Sequence, residues 1–163
     1  MSLGQIILLI LSIALFFTIA ININRTFMLK AQELYKQHTD SNALALGEYL
    51  LEQAWTKSFD EETIDETPDE IPSGFSSSYS LGSDNESYSD NPFYDDVDDY
   101  NGMNEKIEFA EVEYEVRGEV TYCDMNGNKT SQKTNHKLII FEISNPAEDI
   151  SVVVRHVYAY LPN

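Results

Sequence analysis

Gly4 to Arg25 reads GQIILLILSIALFFTIAININR. From Ile6 to Asn24 no residue is charged, and only Ser12, Thr18, Asn22 and Asn24 are polar. Ser and Thr can return their hydroxyls to a helix's own carbonyls, so these exceptions do not break an apolar helix. A bilayer core takes about 20 apolar residues of helix. Ile6 to Ile23 just spans one, and no other run in the chain approaches that length. The stretch predicts a membrane-spanning helix to which everything after Arg25 is tethered. Met1-Ser2-Leu3-Gly4 leaves no room for a basic region ahead of it, and no small-x-small cleavage site follows. A secretory signal removed after the apolar run is therefore not expected.

The helical signal continues from Thr26 to His38, with no Gly or Pro until Gly47. From Ala43 one face reads Ala43, Leu46, Gly47, Leu50 and Ala54, with Leu51, Trp55 and Ser58 beside it. That is the i, i+3, i+4, i+7 stripe of a helix packed on a core. Gly47 costs about 1 kcal/mol of helix propensity against Ala, and its place in the stripe predicts close approach of a strand or another helix. Thr39-Asp-Ser-Asn42 would either loosen a continuing helix or cap a new one. Unbroken from Gln5 to Lys57, the helix would be roughly 80 Å long, and half of it would have to project from its domain.

Beyond Ile107 the periodicity changes to two. Ala110, Val112, Tyr114 and Val116 alternate with Glu111, Glu113, Glu115 and Arg117, and Val120 and Tyr122 resume the pattern after Gly118, a candidate bulge. Met125-Asn-Gly-Asn128 predicts a hairpin turn. Lys137 to Ile143 is the more continuous, central return strand, and Asn145 to Asp149 a second turn. Ile150 to Leu161 is a last strand with Ile150, Val152, Val154, His156, Tyr158 and Tyr160 on one face. The expected fold class is α+β: a long N-terminal spine helix, membrane-embedded in its first half and packed in its second on an antiparallel meander.

Ser58 to Asn104 differs in kind. Between Asp60 and Asp99 there is neither Lys nor Arg among many carboxylates, and Pro68, Pro72 and Pro92 interrupt it. A surface connection is expected, partly ordered by Phe75, Tyr79, Tyr88, Phe93 and Tyr94. Its end carries Asp95, Asp96, Asp98 and Asp99 within Asn91-Pro-Phe-Tyr-Asp-Asp-Val-Asp-Asp-Tyr-Asn-Gly102. Such carboxylates repel unless solvated, protonated or neutralised. Two readings stand: a solvated acidic loop, or a structural Ca²⁺ site built from these oxygens. The spacing is not that of an EF-hand.

The 163 residues carry a net charge of −18 with a pI near 4.2, which argues against nucleic acid as a partner. Cys123 is the single cysteine, so no internal disulfide forms, and it reads as a small buried residue rather than a nucleophile. His38, His136 and His156 lack metal-ligand spacing, and no GxSxG, P-loop, HExxH or GxGxxG occurs. The chain does not read as an enzyme, and calcium is the one candidate cofactor.

A leader ending in Gly4, an apolar helix from the next residue and helical sequence beyond the span resemble type IV pilins and type II secretion pseudopilins. The DDVDDYNG string, Asp95 to Gly102, is similar to a segment of minor pilins of the mannose-sensitive haemagglutinin type. The resemblance implies cleavage by a prepilin peptidase between Gly4 and Gln5. It also implies a helix that lies in inner-membrane lipid before assembly. Afterwards that helix packs against other pilin subunits, through side chains such as Ile6, Leu9, Leu11 and Leu15, in an extracellular filament or in the periplasm. The family's glutamate at the fifth mature position is Leu9 here, which points to a minor, tip-placed subunit. The resemblance divides the chain into leader 1–4, filament-core helix 5–24, amphipathic spine 25–57, acidic loop 58–106 and sheet 107–163. Arg25, Lys30 and Lys36 follow the span, so the positive-inside rule alone would put the C-terminal part in the cytoplasm. The resemblance puts it outside. The competing function is a single-pass, membrane-anchored acidic domain that captures a cation or a protein partner.

Overall fold

The computed structural model describes residues 2–63, 74–82 and 94–160. Pro68, Pro72, Tyr88, Pro92 and Phe93 lie outside the described residues. The chain divides into two compact units, Met1–His38 and Thr39–Asn163.

One helix, α1, runs from Leu3 to Trp55 without a break, so Thr39-Asp-Ser-Asn42 does not cap a new helix. In the first unit the polar exceptions behave as helix chemistry requires. The Ser12 hydroxyl donates to the Leu9 carbonyl at 2.8 Å, Thr18 to that of Leu15 at 2.8 Å, and the Asn22 amide to that of Thr18 at 2.9 Å. The apolar side chains from Leu3 to Leu34 are exposed. This part of α1 is long and apolar enough to cross a membrane, with a mean hydropathy of 2.8 in its most apolar window.

The second unit begins where α1 acquires a buried face. Thr39, Ala43, Leu46, Gly47, Leu50 and Ala54 are buried, the stripe expected from helical spacing. They pack on a four-stranded antiparallel sheet whose spatial order follows the chain: β1 (Asn104–Phe109), β2 (Val112–Tyr122), β3 (His136–Asn145) and β4 (Ile150–Ala159). A Cβ on Gly47 would come within 2.8 Å of Val154 Cγ2 and 2.9 Å of Ile143 Cδ1, so this glycine is what lets α1 lie close on β3 and β4. The Tyr114 hydroxyl donates to the Thr39 carbonyl at 3.0 Å and the Tyr158 hydroxyl to that of Lys57 at 3.0 Å, tying sheet to helix at both ends of the stripe.

Two expectations change. The alternating run from Ile107 to Tyr122 is not one strand. It turns back at Ala110 and Glu111, both at positive φ (51° and 64°), and Phe109 pairs with Val112. That is the backbone of a primed two-residue hairpin, made without Asn or Gly. Gly118 marks no bulge, since the β2–β3 register runs through it unbroken. It is small because the Tyr100 carbonyl would contact any Cβ there.

Candidate functional site

Period-two geometry places one row of side chains across the core face of the sheet at Tyr122, Lys137 and Tyr158, which are paired in register. Lys137 is 0 % exposed. It shares strand parity with Ile139, Phe141 and Ile143, so its ammonium enters the core with them.

Two segments close over that ammonium. The chain leaving α1 pairs with the acidic string: the Ser58 amide donates to the Asp95 carbonyl and the Val97 amide to that of Ser58, each at 3.0 Å. This sets Phe59 and Asp60 beside the short 3-10 turn Asp98–Tyr100. Lys137 Nζ then donates to Asp60 Oδ2 at 2.9 Å, to the Phe59 carbonyl at 2.6 Å and to Asp98 Oδ1. It lies 4.5 Å from the centroid of the Phe59 ring and 5.4 Å from that of Tyr122. Asp60 is held further by the Ser76 amide, at 3.2 and 3.1 Å to its two oxygens, and faces the Tyr122 hydroxyl at 3.4 Å. Phe59, Phe75, Leu81, Tyr122 and Tyr160 form an aromatic-rich cluster around it.

The acidic string is therefore neither uniformly solvated nor a cluster of free ligands. Asp95 is exposed, but Asp96, Asp98 and Asp99 are buried. Asp96 Oδ1 accepts the amides of Asp98 (2.7 Å) and Asp99 (3.2 Å), and Asp99 Oδ2 accepts those of Asp95 (3.0 Å) and Asp96 (3.2 Å). Burial, with repulsion from Asp98 and Asp99, pushes the Asp96 carboxyl up to about 8. Burial pushes Asp98 up to about 6, against the pull of Lys137. The Tyr122 phenol is held well above its usual value by burial and the nearby aspartates. Lys137 supplies a positive charge to Asp60 and Asp98. Among the described residues no group of three or more His, Cys, Asp or Glu is placed to hold a metal.

Of the other residues singled out from sequence, Gly4, Gln5, Ile6, Leu9, Leu11 and Leu15 lie on the exposed first part of α1. Phe75 and Tyr94 are buried as expected of residues that order the connection, but Tyr79 is 93 % exposed. Cys123 is buried and free. His156 packs its ring on Trp55 with centroids 4.4 Å apart. Sequence reasoning missed Lys137 and Asp60. The signal for Lys137 was its parity with Ile139, Phe141 and Ile143; Asp60 carried none.

Compared with known proteins, the chain matches no family model, no curated protein and no solved structure.

Proposed function

We propose that this chain is a structural subunit of a type IV pilus-like filament or a type II secretion pseudopilus. The reading is carried by α1, a single helix from Leu3 to Trp55 whose first part presents an apolar surface and whose last part packs on an antiparallel meander. Lipid tails and neighbouring Leu-rich helices are equally apolar surroundings. The same surface can therefore reside in the inner membrane before assembly and in a filament core afterwards. In this reading a prepilin peptidase cuts between Gly4 and Gln5, and Ile6, Leu9, Leu11 and Leu15 pack against other subunits. Leu9, which has no carboxylate to pair with a neighbour's N-terminal amine, suits a minor subunit. The folded unit beyond His38 faces the periplasm or the cell exterior.

N-terminal peptide analysis of chain taken from membranes and from sheared surface material tests this. A mature chain beginning at Gln5, N-methylated and recovered from the sheared fraction, is the expected outcome. A chain beginning at Met1 or Ser2 and confined to membranes would overturn it, leaving the membrane-anchored acidic domain as the function.

A further inference from the structure

Lys137 is an amine held against two carboxyl groups in a site closed by aromatic rings. The two carboxyls are not equivalent. Asp60 is fixed by the Ser76 amide, faces the Tyr122 hydroxyl and receives a hydrogen bond from Lys137. Asp98 meets Lys137 through Oδ1, while its buried Oδ2 makes no hydrogen bond of ordinary geometry among the described residues. One carboxylate is anchored by the Ser76 amide. The other has an oxygen that no hydrogen bond of ordinary geometry holds among the described residues.

We propose that Lys137 and Asp98 join in an intramolecular isopeptide bond, with Asp60 as the proton carrier. The Lys137 ammonium passes a proton to the Asp60 carboxylate, and the freed lone pair on Nζ attacks Cγ of Asp98. The tetrahedral adduct then loses a second proton from nitrogen, the Cγ–Oδ2 bond breaks, and that oxygen leaves as water carrying the two protons that began on Nζ. One N–C bond forms and one C–O bond breaks. An ammonium and a carboxylate become a neutral amide and water, Asp60 returns to its starting state, and no oxidant or second substrate enters.

Three features favour the step. The reacting groups are brought together by the fold, which replaces a bimolecular encounter with a fixed geometry. An ammonium and its carboxylates are costly to hold out of water, and condensation removes one charge of each sign. Burial also holds the Asp98 carboxyl up to about 6, which makes its oxygen a readier acceptor for the protons released from Nζ. The product ties the segment between α1 and β1 covalently to the central strand β3.

Intact-mass measurement of the full chain extracted in detergent, referred to its observed N-terminus, tests this directly. The expected mass is lower than the sequence mass by one water, and proteolysis yields a branched peptide joining Lys137 to Asp98. Lys137→Arg, which keeps the charge but removes the amine that is acylated, gives the variant's full sequence mass. Asp60→Asn leaves a larger uncondensed fraction. Native chain of full mass, with Lys137 and Asp98 on separate linear peptides, overturns the bond. A branch from Lys137 to Asp60 overturns the assignment of Asp98.

Discussion

Residues 2–38 and 39–160 distribute their side chains in opposite ways. In the first region Ile, Leu and Phe side chains are exposed, Leu9 at 55 % and Phe16 at 69 %. In the second, Lys137 and Asp60 are wholly buried and Asp96, Asp98 and Asp99 nearly so. Burial here follows partners rather than hydropathy. An apolar side chain on a helix with nothing packed on it stays exposed, and becomes stable in lipid or among other helices. A charged side chain leaves water where a counter-charge and backbone donors meet it.

That contrast can be broken, first, at Lys137. Lys137→Met keeps much of the side chain but leaves Asp60 and Asp98 facing each other without their cation. The expected loss is about 3–5 kcal/mol of unfolding free energy, read from urea titration of the full chain in detergent by fluorescence of Trp55, the single tryptophan. A loss below about 1 kcal/mol would show that the cluster is wet. Next comes Gly47. Gly47→Val drives a side chain into Val154 and Ile143, and overpacking of this kind costs about 1–3 kcal/mol; an unchanged midpoint would mean that α1 does not lie so close on the sheet.

A smaller, pH-dependent effect is expected at Asp96. Its carboxyl is raised to about 8, so between about pH 4 and about 8 the folded chain holds a proton that the unfolded chain has released. Stability from this group therefore falls as pH rises through that window and is level above it. Asp96→Asn keeps an acceptor for the Asp98 and Asp99 amides and removes the titration. The variant should gain stability near pH 8 and nothing near pH 4, as melting curves at the two pH values would report. A variant less stable than the native chain at pH 8 would mean that Asp96 is needed as an anion. The smallest effect belongs to the first region. Leu9→Ala should change unfolding of the sheet unit by less than about 0.5 kcal/mol, because Leu9 is exposed; a larger change would place Leu9 in the fold's own core.

Much of the second region was legible because its periods are regular. The 3.6-residue stripe named Ala43, Leu46, Gly47, Leu50 and Ala54, period two set the inner face of β4, and the continuous run from Lys137 to Ile143 set the central place of β3. The Ala110–Glu111 hairpin was not legible. Alternation passes through both its strands, and neither residue is a usual left-handed turn former; pairing between Phe109 and Val112 forces the positive φ. The acidic string was visible as a problem of repulsion, but its counter-charge lay nearly forty positions away in sequence, a separation no local pattern reports.

Sequence by itself determined the apolar span, the helical stripe and the α+β class, since each is written in spacing that neighbouring residues impose on one another. Only the tertiary structure decided that α1 continues unbroken through Thr39-Asp-Ser-Asn42, that the first strand folds back on itself, and that Lys137 neutralises Asp60 and Asp98. Those outcomes depend on contacts between distant segments, where packing and the pairing of buried charge outweigh local preference.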